Sequence, residues 1–292
     1  MKKLSKSKSD KILKEALKRF ERGRQATSEE DKLAVEDVKF VSDEDGQWTD
    51  EDKAKREGRP CYTFDRVSSA VDQIVGDHLL SKPGIKVRAA ENGDKDLADI
   101  QTGLIRHIES QSNAKRAYKI AFKYAVISGK GVWRVHHDYL DDESFEQEVV
   151  IEPVQNPFCV VFDPDAEKIT KEDGKFQFYF ADMPKEDFEA EWPKASASES
   201  DFSTEGGNLD WYSKDSVRVA DYYRKVPAKK TIYLLKDRRV VEEVPEGAEV
   251  ANEREIDSYN IEHYKMTGSE ILEQHEYVSR FLPYVPVYGK TI

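Results

Sequence analysis

The sequence contains no long run of apolar residues. Clean apolar stretches such as 124–127 and 159–162 are only a few residues long, whereas a helix that crosses a membrane needs about 20 such residues. The chain begins with lysine and serine rather than with an apolar segment, so it also shows no secretory signal. We therefore expect neither a membrane span nor export through a signal peptide.

Cysteine is scarce as well, with only Cys61 and Cys159 in 292 residues. Two thiols do not make a disulfide framework or a zinc site, which favours a reducing compartment. Apolar residues make up 38% and charged residues 36%, against about half and about a quarter in ordinary domains. Aromatic residues at 11% argue against disorder throughout the chain. We expect a thin core that other chains help to bury.

The sequence also lacks common enzyme motifs such as HExxH and the nucleophile elbow. Ser128-Gly129-Lys130-Gly131 resembles part of a phosphate loop, but it has no upstream glycine at the required spacing and no Ser or Thr after the lysine. It predicts a helix C-cap before a strand instead. We assign no catalytic, cofactor-binding or metal-binding residue, and we expect a protein that is not an enzyme and has no cofactor.

One loose nuclease-like pattern consists of Asp165, Asp173 and Lys175. Metal-dependent nucleases hold a divalent cation with two carboxylates and place a lysine near the attacking water. Here the carboxylates follow a strand end and lie in a turn, whereas a metal site needs rigid support. Turn chemistry is the favoured interpretation, and a metal-dependent nuclease stays open as an alternative.

The histidines and aromatic pairs do not define a site. The six histidines are scattered, and the adjacent His136 and His137 of a predicted strand face opposite ways. Tyr222-Tyr223 and the Tyr139/Phe145 pair have the chemistry to stack on single-stranded bases. Such residues more commonly cover a sheet core, and we expect that role here.

Charge is distributed unevenly along the chain. The net charge is −12, but residues 1–24 hold ten Lys or Arg and three acidic residues, which leaves +7 there and −19 elsewhere. Lys11, Lys14, Lys18 and Arg22 are therefore candidate contacts to nucleic acid or to an acidic partner. A solvated, half-ordered terminus is nevertheless the favoured interpretation, because chain termini are poorly ordered unless they are tied down. The acidic remainder argues against a tight DNA binder, although a DNA-binding accessory protein that uses the arm stays open.

Hydrophobic periodicity predicts helices first and strands afterwards. The helical segments are 12–20, a second helix that a capping box opens at 27–30, a third from Thr49, a fourth from Thr63 or Asp65 to 79, and two more at 97–108 and 114–126. The predicted strands are 85–89, 133–139, 145–154, 158–162, 176–180, 217–223, 232–235, 260–266 and 271–277, with a short helix at 185–191. This order predicts an α+β fold, with N-terminal helices followed by a mostly antiparallel β-rich region.

The order of predicted helices and strands divides the chain into three segments. They are a basic and polar helical arm at 1–60, a helical segment at 61–130 and a β-rich segment at 131–292. Within the last segment, residues 194–215 are rich in Ser, Asp, Glu and Gly, which predicts a long exposed loop.

A series of short segments along residues 58–292 carries a family resemblance. They are Gly58-Arg59-Pro60-Cys61-Tyr62-Thr63-Phe64-Asp65-Arg66-Val67, Gln73-Ile74-Val75-Gly76-Asp77, Ser112-Asn113-Ala114 with Ala117-Tyr118, Gly129 to Val135, Asn156-Pro157-Phe158 with Val160 and Asp163-Pro164, Val217 to Tyr223, and Tyr284 to Gly289. In this order they resemble the portal proteins of short-tailed bacteriophages of the enterobacterial podovirus type, although no single segment is a signature.

The resemblance implies a structural role in a virion. Such portals are homo-oligomeric, dodecameric rings at one capsid vertex, and they form the conduit for double-stranded DNA during packaging and ejection. The resemblance implies contacts with terminase, tail adaptor proteins, scaffolding protein and capsid protein. It also implies assembly in the host cytoplasm, with the packaging ATPase in terminase rather than in the ring.

Family members are longer, so the resemblance implies that this chain corresponds to most of the outward-projecting wing, without stem, clip or C-terminal barrel. Subunit contacts are expected on the helices of 94–128 and the sheet of 131–162, because a ring needs two different faces on each subunit. The loop at 194–215 and the basic arm are candidates for capsid or scaffolding contacts.

Overall fold

The computed structural model places helices at the N-terminus and antiparallel sheets after them, which confirms the α+β fold. It describes residues 6–42, 47–81, 84–89, 94–141, 143–195, 211–213, 215–236, 240–245, 247–277 and 279–289. The helices are α1 (Lys6–Ser42), α2 (Asp50–Lys55), α3 (Val67–Ser81), α4 (Lys95–Gln111), α5 (Ala114–Ser128) and α6 (Lys185–Glu191), and a 3₁₀ turn spans Pro157–Cys159. The strands are β1 (Lys130–Tyr139), β2 (Gln147–Pro153), β3 (Val160–Phe162), β4 (Phe176–Pro184), β5 (Ser216–Leu235), β6 (Val240–Val241), β7 (Val250–Met266), β8 (Ile271–Tyr277) and β9 (Tyr284–Tyr288).

The chain divides into two compact units. The sheet unit comprises the described residues within Met1–Gly23, Val161–Glu167 and Glu172–Leu282. The helical unit comprises those within Arg24–Val160, Lys168–Lys171 and Pro283–Ile292. Helix α1 therefore contributes its first half to the sheet unit and its second half to the helical unit.

Helix α1 is one continuous helix, and the prediction of two successive helices is wrong. The side chain of Thr27 does not open a new helix but donates a hydrogen bond to Asp31 one turn later, at 2.8 Å. Gly23 does not break the helix either, because it is buried where a Cβ atom would overlap the Val161 side chain. A glycine that permits close packing carries the same sequence signal as a helix break.

The helical unit is organised around α5. Its buried stripe consists of alanines at helical spacing, Ala114, Ala117, Ala121 and Ala125. Ala114 and Ala117 pack with Ile151 of β2, and Tyr118 meets Trp133 of β1 edge to face at 5.1 Å between ring centroids. The antiparallel sheet beneath has the strand order β2-β1-β9.

The predicted strand at 85–89 is wrong. Residues 84–89 have no strand assignment, and the backbone N–H of Val87 donates instead to the Thr102 hydroxyl of α4 at 3.1 Å. Alternation alone does not make a strand, because a strand also needs a partner for its backbone groups. The helices predicted on either side of this segment are confirmed as α3 and α4. The Asp65 carboxylate caps α3 by accepting hydrogen bonds from the N–H groups of Val67 and Ser68.

The sheet unit contains the longer sheet, with the strand order β3-β4-β5-β7-β8 and β6 paired to β5. Strand β5 is a single strand where two short ones were predicted, and β7 begins ten residues before the predicted start. Pro227 lies between the two predicted strands and pairs with Tyr259 in β7. Proline is tolerated there because β4 no longer pairs with β5 beyond Arg224, so β5 has one partner strand.

The core of the sheet unit is aromatic, and α1 closes it. Ile12, Ala16 and Phe20 of α1 are buried. The Phe20 ring lies 5.3 Å from Phe178, 5.4 Å from Phe180 and 5.0 Å from Trp211, measured between centroids. Residues 6–20 are therefore a packed helix and not a half-ordered terminus.

The predicted loop at 194–215 lies mostly outside the described residues, which exclude 196–210 and 214. At its end, Trp211 is buried against Phe20 rather than exposed. Among the residues that the structure describes, no helix is both long enough and apolar enough to span a bilayer.

Candidate assembly surfaces

The candidate contacts of the basic arm form one stripe on α1. Lys11, Lys14, Lys18 and Arg22 recur every three or four residues and are all exposed, on the side of the helix opposite the buried residues. We call these four residues the cationic stripe. Arg22 forms an ion pair with Asp165. Within the described part of the chain, the three lysines form no ion pair.

A polar network holds the buried side of α1 on the sheet. The Arg224 guanidinium on β5 contacts Glu15 of α1 at 3.2 Å and Glu262 of β7 at 2.6 Å. Burial alone would raise the pKa of Glu262, but hydrogen bonds from Tyr264 and Arg224 hold it below its usual value. The network fixes the position of α1 and thereby the direction in which the cationic stripe points.

Tyr222 is the buried end of the same network. Its hydroxyl accepts a hydrogen bond of 2.6 Å from Arg19, which also pairs with Glu15 at 2.8 Å. Burial raises the pKa of Tyr222 to about 12, although the Arg19 charge opposes this shift. Tyr222 is fully buried and Tyr223 nearly so, which confirms their predicted role as core aromatics.

The distal parts of β5 and β7 form a ribbon in which residues 226–235 pair with 250–260, and β6 adds a short pairing at Tyr233 and Leu234. Glu253, Glu255 and Asp257 alternate along one face of the ribbon and are exposed. We call these three residues the acidic ribbon face. Lys229 contacts Glu255 at 3.1 Å, and the Glu255 side chain remains 58% exposed. Sequence reasoning missed this face because it placed the start of β7 at residue 260.

Helix α4 exposes a row of large apolar side chains. Leu97, Ile100 and Leu104 are 52%, 67% and 56% exposed, although their helical spacing is typical of a buried helix face. We call them the α4 apolar stripe. Ala98 and Thr102 form the buried side of the helix, so α4 is apolar on more than the side it buries. An apolar row in water is typical of a surface that meets another chain.

The hairpin of β1 and β2 also ends in exposed apolar groups. Tyr139 is 56% exposed and Phe145 is 96% exposed. The prediction that this pair covers a sheet core is therefore wrong. Because β1 and β2 pair only as far as Tyr139 and Gln147, Phe145 lies beyond the last pair of the ladder, where no neighbouring strand shields it.

A cleft of about 500 Å³ lies within the helical unit between the second half of α1, the start of α3, and α5. Its lining is largely apolar and includes Val38, Val41, Ile120 and Ile127, with Lys123 as a charged group. The segment that leads into α3 adds Phe64, which is 81% exposed. The helical unit therefore presents apolar surface in addition to the α4 apolar stripe.

The residues of the nuclease-like pattern form contacts that hold their own loop. Asp165 pairs with Arg22, and the Asp173 carboxylate accepts the backbone N–H of Glu167 at 2.7 Å. The backbone N–H of Lys175 donates to Asp163 at 2.8 Å. Among the described residues, no group of three or more His, Cys, Asp or Glu side chains is placed to hold a metal ion. These contacts favour the turn interpretation.

The Ser128-Gly129-Lys130-Gly131 segment forms a helix C-cap, as predicted. Gly129 has a φ of +79°, and its N–H bonds to the Ala125 carbonyl. Lys130 begins β1 and lies 3.8 Å from Asp31. Burial lowers the pKa of the Lys130 ammonium, and the charge of Asp31 opposes the shift. The segment thus has a structural role.

His136, His263 and His275 each lie beside a carboxylate. His136 lies 3.0 Å from Glu152 on the neighbouring strand, and His263 lies 2.8 Å from Asp221. The rings of His263 and His275 are stacked at 5.5 Å between centroids. These contacts are strand-to-strand packing, in line with the interpretation as packed histidines.

Comparison with known proteins adds a family match. The sequence model of the family described as "Phage P22-like portal protein" matches residues 17–292. A curated relative described as "Portal protein", from Acyrthosiphon pisum secondary endosymbiont phage 1, is 24% identical over 301 residues. That alignment covers 94% of this chain and 42% of the relative, so the chain spans about two fifths of the relative's length.

Proposed function

The chain belongs to the family of phage P22-like portal proteins, and from that membership we propose that it is a structural, non-enzymatic subunit of a portal ring. The ring is the conduit for double-stranded DNA during packaging and ejection. It provides the docking site for terminase and tail adaptors, meets scaffolding and capsid proteins, assembles in the host cytoplasm and lies at a capsid vertex of the virion. The family match over residues 17–292 is the observation that carries this proposal.

Further support comes from the exposed apolar surface of the helical unit. The α4 apolar stripe lies within residues 94–128, where subunit contacts are expected from the sequence. Burying such a side chain against a neighbour contributes roughly 25 cal/mol per Å² of apolar area removed from water. We propose that this stripe meets a second copy of the chain, with the β1–β2 hairpin as a further contact. Residues 1–60, 61–130 and 131–292 then correspond to the arm, helical and β-rich segments of the wing.

The charge of the chain supports the conduit role. The net charge of −12 sets an overall repulsion against phosphates, which lets duplex DNA pass without tight binding. Tight DNA binders instead neutralise phosphates with clusters of lysine and arginine.

Light scattering on the purified chain, combined with negative-stain imaging, tests the proposal. We expect a closed ring with a mass of roughly twelve times 33.6 kDa. A chain that stays monomeric at high concentration would contradict self-assembly. Mg²⁺-dependent cleavage of plasmid that disappears on Asp173→Ala would favour the nuclease alternative over the structural role.

A further inference from the structure

The cationic stripe and the acidic ribbon face belong to the same unit but lie on opposite sides of its sheet. Helix α1 covers the sheet face that carries Tyr222 and Arg224 of β5 and Tyr264 of β7, and the stripe points away from that face. Residues at odd positions of β7 lie on the other face, because side chains alternate along a strand. Glu253, Glu255 and Asp257 are all at odd positions.

The two surfaces are opposite in charge and are largely without partners of their own. In the described part of the chain, Lys11, Lys14 and Lys18 form no ion pair, and neither do Glu253 and Asp257. Arg22 and Glu255 each have one partner, Asp165 and Lys229, and these pairs remain half exposed. Each surface therefore retains a net charge that attracts the other.

The two surfaces also match in length. From Lys11 to Arg22 the helix rises about 16 Å, at 1.5 Å per residue. From Glu253 to Asp257 the strand advances about 14 Å, at about 3.4 Å per residue. A straight helix laid along the ribbon therefore brings cations and carboxylates within reach of one another over the full length of both.

We propose that the cationic stripe of one copy docks on the acidic ribbon face of a second copy. This rests on the proposed ring, in which each subunit meets its neighbours through two different surfaces. Complementary surfaces on opposite sides of one unit satisfy that requirement, because each copy offers the stripe to one neighbour and the ribbon to the other. Exposed charges of this kind set the register and orientation of partners more than they add affinity.

Double-stranded DNA is the competing occupant of the stripe. Its phosphates would also pair with lysines, but the stripe holds only four cations in a chain with a net charge of −12. DNA would leave the acidic ribbon face without a partner, whereas a second copy satisfies both surfaces at once. The observations therefore favour the second copy.

Two charge-reversal variants of the full chain test the docking. One carries Lys11→Glu, Lys14→Glu and Lys18→Glu, and the other carries Glu253→Lys, Glu255→Lys and Asp257→Lys. A control with Lys32→Glu, Lys55→Glu and Lys194→Glu has the same net charge as the first variant, and all three side chains are exposed in the native chain. Circular dichroism checks folding, and sedimentation velocity measures assembly as a function of concentration.

In an assembly of either variant alone, the helix stripe of one copy and the ribbon face of the next would carry charges of the same sign. We expect its half-assembly concentration to rise on the order of tenfold or more relative to the native chain and to the control. An equimolar mixture restores assembly, because the reversed stripe of one variant fits the reversed ribbon of the other. Mass spectrometry of the mixed rings should show the two variants in equal numbers.

The outcomes separate this inference from the ring proposal. Native and variant chains that assemble alike would overturn the docking while leaving the ring intact. A stripe reversal that abolishes binding to a duplex oligonucleotide but not assembly would overturn it in favour of DNA. A native chain that does not assemble under any condition would contradict the ring and the docking together.

Discussion

Two glycines allow strands to pass directly against α5 at the centre of the helical unit. A Cβ atom at Gly131 would overlap the Ala121 carbonyl oxygen, and one at Gly289 would overlap the Ala125 carbonyl oxygen. Both neighbours are backbone atoms, so no side-chain rotation relieves the overlap. The alanine stripe of α5 and these glycines therefore act together to bring helix and sheet into close contact.

Gly131→Ala tests this contact. We expect the free energy of unfolding to fall by about 1–3 kcal/mol, the usual cost of overpacking a rigid site. Gly103→Ala is the matched control, because nothing lies within 4 Å of the added methyl group and the residue is inside α4. That change should stabilise the chain by about 0.5–1 kcal/mol. Urea unfolding followed by circular dichroism measures both, and equal effects would refute the packing argument.

Tyr222 makes the free energy of unfolding depend on pH in the alkaline range. Because burial raises its pKa to about 12 in the folded chain, above the unfolded value of about 10, the folded state retains the proton longer. Its contribution is fully present below pH 10 and is lost as the pH rises from 10 to 12. Tyr222→Phe should therefore flatten the loss of unfolding free energy in that window, by at most about 1.4 kcal/mol per pH unit. Chemical denaturation at several pH values measures the slope, and an unchanged slope would count against the assignment.

Whether a residue's role could be predicted depends on how near its partner lies in the sequence. The capping role of Asp65 and the C-cap at Gly129 depend on neighbours in sequence, and both were predictable. The pairing of Arg22 with Asp165 joins residues far apart in the chain, and no local pattern announces it.

At the scale of elements, periodicity identified α3, α5 and β8, and local signals mark the ends of the two helices, such as the Asp65 cap of α3 and the Gly129 cap of α5. It failed where one residue type serves two purposes. Gly23 in α1 and Pro227 in β5 lie between predicted elements, but the first permits close packing and the second lies where β5 has one partner strand. A sequence does not show which of these purposes applies, because the difference lies in a distant strand.

Helix α4 shows the same limit for burial. Its apolar residues have the spacing of a buried face, but the structure buries Ala98 and Thr102 and leaves the α4 apolar stripe in water. Hydrophobic spacing does not distinguish a face covered by the same chain from a face that another chain covers. The subunit contacts expected in 94–128 stay a prediction, and the sequence did not identify the α4 apolar stripe.

The double substitution Ile100→Glu with Leu104→Glu tests the α4 apolar stripe. Both side chains are more than half exposed, so we expect the unfolding free energy of the monomer to change by less than about 0.5 kcal/mol. Assembly should be lost, because two charges would be buried without partners at the contact. Asp99→Lys, an exposed change off the stripe, serves as the control in the same light-scattering experiment. Assembly that survives the double change would move the contact to another surface.

At the scale of the whole molecule, the charge is divided between one cationic helix stripe and an acidic remainder. For a 30-base-pair duplex we expect a dissociation constant weaker than about 10⁻⁴ M at physiological salt, the weak limit of ordinary non-specific binders. Fluorescence anisotropy measures it, with the stripe-reversal variant as a control for the arm. Tight binding with a steep salt dependence would contradict a conduit that lets DNA slide.

The distal ribbon has a consequence for solubility. Between residues 226 and 232, β5 has an open edge in the described structure, and so does β7 between 250 and 260. Open edges are where chains polymerise into amyloid-like fibres. Pro227 removes one edge donor, and repeated carboxylates place like charges opposite each other in any parallel stack of ribbons. The protein can therefore present a long bare ribbon at high concentration without precipitating, because only a surface of opposite charge is attracted to it.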